Sequence, residues 1–598
     1  MTRLVSFAIA LLTLFVASLV PLPAAADRDH RTPQKDIAKL VEQLGDNDYF
    51  VRQRAQSELA RLGFEAFDAL SAARDHDDIE IAVRARYLLR LMQIRWSFEG
   101  DPSQVKRLLE SYGTLDGNER NRRIDALANY DDRGAVHALC RIIRFDDSDV
   151  RSKRAAQRLI ERSPTEASHF SSWSETVIDS LNSSQRAGAK WLRIYVEARE
   201  HPDRAADQWG EQLEAEKLAW QQWPGESNHD LLVFLLQQHA KLLTLAGRKD
   251  EVTDVLRQMV RLEPGDPDGL ADLTQQLSRR RAWGVLDELV ERFKARFQSD
   301  AVLLYLLSDA RRRQGDEAGA NRRLAAARAI HPPGRNADGH RQVAQRLQDR
   351  GLFDWAEEEY RAAMATQPDE ATSRPVIESY WMLAYMLHDL GQHASAAKVI
   401  KQMIDLVEQR DKSQRGSTRV FRARWAYFLA CAAESDGNRS KQLDYLDQVI
   451  EQNGYDVDAL IALYHYPQLD AARMQDVKTR IARAIEQFHA NIRQAQANSI
   501  NVRGTLAVED NQLAWLISNS QGDLDEALES SRRSLEIDPR NAGFMDTLAR
   551  CYYARKDYQR AVKYQTWACD AEPYSGQMRR QLELFQQTLA QSRKRPAD

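Results

Sequence analysis

The side chains that could carry chemistry in this 598-residue chain are scattered rather than grouped. His76, His137, His388 and His393 do not stand at metal-ligand spacings, and Asp75, Asp77 and Asp78 lack the glycine and closing glutamate of a calcium loop. No HExxH, GxxxxGK, GxSxG or CxxC occurs, so no zinc-hydrolase, phosphate-cradling, serine-nucleophile or dithiol chemistry is written into the sequence. The acidic runs read as helix caps, because an aspartate at a helix start accepts from free backbone N–H groups. With 88 acidic residues in the chain, two neighbouring carboxylates carry no information. The expectation is a non-enzymatic protein with no catalytic residue, no metal ligand and no cofactor.

The four cysteines, Cys140, Cys431, Cys551 and Cys569, are too few and too scattered for a disulfide framework. Cys551 and Cys569 fall on the two helices of one expected hairpin, where they could be bridged or simply pack as small side chains. Hydrophobic residues at 43% and charged residues at 29% fit a folded helical chain, and about 570 residues exceed what one core serves. A net charge of −4 argues against the concentrated basic surface of a nucleic-acid binder.

Arg3, the apolar run 4–20, Pro21, Pro23 and the small residues Ala24, Ala25 and Ala26 have the order of a secretory signal peptide, residues 1–26. Cleavage near Ala26 gives an exported chain, periplasmic or secreted, and an uncleaved N-terminal membrane anchor is the alternative. No later stretch is long and apolar enough to span a membrane.

Spacing is most regular in residues 511–573. Gly522, Asp523, Leu524, Ala527 and Pro539 are echoed by Lys556, Asp557, Tyr558, Ala561 and Pro573, each 34 residues on. A shared period of this length marks stacked helical hairpins. Upstream, Val252, Leu286 and Ala320 keep the same 34-residue step; Ala356, Tyr360, Ala363 and Pro368, and then Ala396, continue it at 36 and 40. Ala356, Tyr360 and Ala363 stand at i, i+4 and i+7, one face of a helix, and Pro368 cannot continue that helix. A looser period runs through 36–162, where Val51-Arg52, Val83-Arg84 and Val150-Arg151 each follow an acidic turn.

The 34-residue register resembles the tetratricopeptide repeat family over residues 231–583, and the acidic-turn and Val-Arg theme resembles HEAT and armadillo repeats. The resemblance implies an all-α, α-α superhelix: a right-handed tetratricopeptide solenoid preceded by HEAT-like hairpins, the arginines of the latter pairing with a neighbour's acidic turn. The expected divisions are HEAT-like repeats at 33–165, a helical bridge at 166–228 with core tryptophans, the first part of the array at 229–408, divergent hairpins at 409–504, a C-terminal pair at 505–588 and a disordered tail at 589–598. Ala320, Ala356, Tyr360, Ala363, Ala396, Ala527, Ala561, Pro539 and Pro573 become the packing positions.

In that family the first helix of each hairpin lines a concave groove for peptides or partner segments. Carried over, this names Tyr305, Asp309, Arg312, Arg341, Gln345, Trp381, Tyr385, His388, Asp546 and Arg550, with Asn511 and Trp515 at equivalent positions. Gln237 and Lys241 stand where a carboxylate clamp would begin, so its lysine and asparagine pattern is absent. The expected function is an exported scaffold for protein or peptide partners, with a glycan-processing accessory or enzyme subunit, or a structural spacer, as alternatives. The sequence leaves oligomeric state open.

Overall fold

The computed structural model describes residues 34–594 except 93, 224, 333–334, 366–372, 411–417 and 498–502. The expected signal peptide, Pro368 and the last residues of the tail lie outside them. The described residues form helices and no strand. They divide into two compact units, the first ending at Ile94 and including 183–185, the second holding the rest. The division therefore falls inside the 33–165 block expected to be continuous.

In the first unit Asp48 and Asp78 accept backbone N–H bonds at the starts of helices Tyr49–Leu62 and Ile79–Leu91. Gly63, at φ 55, ends the former. Ala55, Leu59, Leu70, Ile81, Ala85 and Leu88 form its core. The expected pairing of arginine to a neighbour's turn is mixed. Arg52 donates to the carbonyls of Asp46 and Asn47 in its own turn and lies 3.5 Å from Glu80, and Arg151 binds Asp146 and Asp147 of its own turn. Arg120 does reach across to Asp147.

The second unit is a succession of helical hairpins. Asx residues start many of them: Asn228, Asp266, Asp300, Asp316, Asn438, Asp456, Asp523, Asn541 and Asp557 each accept from the first helical turn. Small residues then let the paired helices approach: Ala320, Ala356, Ala396, Ala527 and Ala561 are all 0% exposed, as are Tyr360 and Ala363. Pro539 is buried and Pro573 exposed. In the bridge, Trp191 and Trp209 are core and Trp209 Nε1 donates to the Leu235 carbonyl, but Trp223 is exposed, contrary to the expectation for that residue.

The divergent stretch resolves into two hairpins. Arg419–Ser435 packs on Arg439–Gln452, where Gln442 is buried in the usual small-residue position and accepts from Arg439. The short helix Val457–Tyr464 then meets the 27-residue helix Ala471–Ala497. The last helix, Gly576–Lys594, runs through most of the segment expected to be a disordered tail. Cys551 and Cys569 are free thiols, the first buried and the second partly so.

Two seams return the C-terminal repeats to earlier parts of this unit. At the first, the helix Leu524–Ile537 packs on Gly117–Ala128. Asn129 Nδ2 donates to the Pro539 carbonyl at 2.7 Å, Tyr564 OH donates to the Asn129 carbonyl at 2.7 Å, and Glu536 accepts from Tyr130 OH and Arg107. Lys563 pairs with Asp131, and the Arg162 guanidinium lies 4.3 Å from the Trp567 ring centre. At the second, Asp389 accepts from the backbone N–H groups of Gly576 and Gln577, and Tyr574 lies against Gly351. A Cβ on Gly351 would sit 2.3 Å from that ring, and its φ of +76 favours glycine as well.

Candidate functional site

Between these seams, first helices from two parts of the array face one another across a cavity of about 490 Å³. One wall carries Tyr385 from helix Arg374–Asp389, Arg424 from Arg419–Ser435, and the turn 453–458 with Asn453, Tyr455, Asp456 and Asp458. The other carries Gln512 and Trp515 from Arg503–Ser518, Asp546 from Ala542–Ala554, and Gln577 from the last helix.

Local rules place these groups. Asp456 is the N-cap of Val457–Tyr464, accepting from Ala459 N at 3.1 Å, which holds the 453–458 turn against Arg424. Arg424 binds Asp458 at 2.8 Å and lies 3.5 Å from Asp456, while its guanidinium stands 5.8 Å from the Tyr385 ring and 5.0 Å from the Tyr427 ring. Burial works against its charge, but Asp458, Tyr385 and Asp456 outweigh that and raise its pKa. Burial pushes Asp456 upward, with Arg424 opposing.

Asp546 is different. It is 7% exposed, and its Oδ1 accepts from Gln565 Nε2 at 2.6 Å and Gln581 Nε2 at 3.0 Å. Among the described residues no donor reaches Oδ2, and no cation lies within ion-pair distance. Burial raises its pKa to about 6 against the two amide bonds. The hydroxyl of Tyr385, the indole N–H of Trp515 and the side-chain amide of Gln512 likewise meet no hydrogen-bond partner among the described residues. A pocket of this volume with a few converging polar groups has the dimensions of a ligand site, for which roughly 300–1,000 Å³ is usual.

Of the residues expected in a groove, the cavity brings together Tyr385 and Asp546, with Trp515 from the equivalent set. Tyr305 is fully buried and donates to Glu359, which also holds the buried His340, so it lines no groove. Asp309 pairs with Arg313, and Arg312 lies 5.1 Å from the Trp355 ring centre. Arg341 is held by Asp338 and Glu378; Gln345 is exposed elsewhere. Trp381 packs on Tyr385 and Phe421, His388 stacks on Phe428 beside His393, and Arg550 stands over Tyr553. Arg424, Asp456, Asp458, Gln512 and Gln577 were not anticipated. Arg424 sits one hairpin beyond Tyr385 on the first-helix face, a signal that the uneven spacing there obscures. Among the described residues no cluster of three potential metal ligands occurs, and no helix is long and apolar enough to cross a membrane.

Two stretches match a family, residues 377–407 and 519–564, both as tetratricopeptide repeats. The chain carries tetratricopeptide repeats. Both matched stretches border the cavity, the first holding Tyr385 and the second holding Asp546 and ending just before its partner Gln565. No curated protein matches this repeat protein. Solved structures that resemble it include the P58(IPK) TPR domain, at 17% identity over 54% of this chain and 99% of that one, with a TM-score of 0.15. Yeast Tom70 aligns at 11% identity over 82% and 97%, TM-score 0.26. The Cut9-Hcn1 hetero-tetramer of the APC/C aligns at 14% over 92% and 98%, TM-score 0.26. At such scores neither the path of the array nor any residue correspondence carries over. Tetratricopeptide repeats form scaffolds for protein partners and are typically non-catalytic.

Proposed function

We propose that this repeat protein is an exported, non-enzymatic scaffold that holds a protein or peptide segment in the cavity between its two facing sets of first helices. The observation that carries the reading is the group of unpartnered polar atoms, on Tyr385, Gln512, Trp515 and Asp546, converging on one 490 Å³ space in a fold built for recognition. Charged and amide groups left without protein partners at the base of a cavity are stabilised when a ligand supplies the missing bonds. Export is supported by Arg3, the apolar run 4–20 and Ala24, Ala25 and Ala26. N-terminal sequencing of the protein recovered from cells tests it: a start near Asp27 is expected, and a start at Met1 would indicate an anchored chain.

Co-purification from cell-envelope extracts tests the cavity, using the intact chain and a Tyr385→Ala, Trp515→Ala, Asp546→Asn variant. The partner is expected with the former and absent from the latter; retention by a folded variant would remove the cavity from the account. The rings of Tyr385, Tyr455 and Trp515 beside carboxylates favour a second reading, an accessory subunit that holds a glycan. Retention of the protein on cell-wall polysaccharide, lost with Trp515→Ala, would favour that reading.

A further inference from the structure

The cavity's charge is unbalanced in one direction. Its walls hold the carboxylates of Asp456, Asp458 and Asp546 and the single guanidinium of Arg424. Arg424 is shared by the first two, at 3.5 and 2.8 Å. Asp546, on the opposite wall, has two amide donors and no cation, although its side chain is nine-tenths buried. A buried carboxylate in this state is stabilised by an added positive charge more than by any neutral group. The space is too large for a bare ion, and Asp546 is not part of any metal-ligand cluster among the described residues.

The remaining lining fits the other parts of a basic side chain. Trp515, Tyr385 and Tyr455 offer ring surfaces against which a guanidinium or ammonium is held by cation–π attraction. Arg424 already stands 5.8 Å from the Tyr385 ring centre, so Trp515 and Tyr455 are the rings left for an incoming cation. Gln512, Gln577 and Asn453 place amides around the cavity, suited to the backbone of an extended segment. We infer, resting on the scaffold reading above, that the cavity recognises one arginine or lysine side chain projecting from an extended stretch of the partner, with Asp546 as its counter-charge and Trp515 as its stacking surface.

The test uses the full chain and the probes acetyl-Gly-Arg-Gly-amide, its Lys form, and matched Gln and Glu forms, followed by saturation-transfer NMR and thermal shift. The Arg and Lys probes are expected to bind and to raise the melting temperature with concentration, and the Gln and Glu probes to do neither. Asp546→Asn is expected to weaken the Arg probe at least ~10-fold without lowering the melting temperature of the free protein. Trp515→Ala, which leaves the charges in place, should weaken it as well. Equal binding of all four probes, lost together in Trp515→Ala, would overturn the charge assignment and leave the scaffold reading standing. Arg-probe binding unchanged in both variants would overturn the cavity as the site. Binding of chitotriose in place of any peptide, lost in Trp515→Ala, would overturn the inference in favour of the glycan reading.

Discussion

The C-terminal repeats present two faces to the rest of their unit, and the faces differ in how completely their polar groups are met. At the first seam, Glu536, Pro539, Tyr564 and Lys563 find Arg107, Tyr130, Asn129 and Asp131, so donors and acceptors are matched across more than 400 residues of chain. Across the cavity, Trp515 and Asp546 stand opposite Tyr385, Arg424 and the 453–458 turn, and the Tyr385 hydroxyl, the Gln512 amide, the Trp515 indole N–H and Asp546 Oδ2 make no hydrogen bond among the described residues. A matched seam stabilises the fold, whereas polar groups on a face open to solvent keep their hydrogen-bonding capacity for water or for a ligand. The contrast separates positions that hold the unit together from positions available for recognition.

Substitutions can break that contrast or sharpen it. The largest effect is expected from Gly351→Ala at the second seam, where an added Cβ meets Tyr574 and the backbone is left-handed. Stability should fall by about 3 kcal/mol in denaturant unfolding, and adding Tyr574→Ala should restore the part due to the clash. Glu536→Ala at the first seam leaves Tyr130 OH without its acceptor and Arg107 with Glu529 alone, and should cost about 2 kcal/mol, with faster hydrogen exchange in Leu524–Ile537.

Asp546→Asn should move stability the other way. Its folded pKa of about 6 lies above the unfolded value near 3.8, so the unfolded chain releases the proton first as pH rises. Stability contributed by the group is fully present below about pH 4 and is lost between there and about pH 6. The groups facing it are Gln565, Gln581, Arg550 and Glu572, and the first two amides can still donate to an asparagine oxygen. The variant should therefore match the parent near pH 4 and exceed it by about 2 kcal/mol above pH 6. A loss at pH 7 would place Asp546 with the seam rather than with the recognition face. The smallest effect is expected at the repeat turn, where Lys556 has a φ of 64 in a position many other repeats give to glycine. Lys556→Gly should raise stability by about 0.5–1 kcal/mol, read as a small increase in melting temperature.

Much of this was legible along the chain. Ala527 and Ala561, 34 residues apart, lie on the second helices of the C-terminal pair, which pack on their first helices, and both are fully buried. Asp523 and Asp557 precede those helices and cap them. Such features are short-range: a cap acts within one turn and a small residue within one hairpin, so periodicity reports them. Tyr305 shows where the same reasoning misled. Its place on a first helix suggested a groove, but the next hairpin brings Glu359 and Trp355 over it and buries it completely. Trp515 and Asp546 have comparable positions and line a cavity instead.

By itself, the sequence determined the hairpins, their caps, their tight alanine contacts and the family to which they belong, because each depends on residues within about one repeat length. It held no local signal for the seams or for the cavity. Asn129 meets Pro539 and Tyr564 only after the small rotations between many repeats have accumulated, and the short helix Val457–Tyr464 sets the turn that brings Asp456 and Asp458 opposite Asp546. The tertiary structure decided which polar side chains found partners and which did not, since that depends on how far the stacked repeats turn before the chain meets itself.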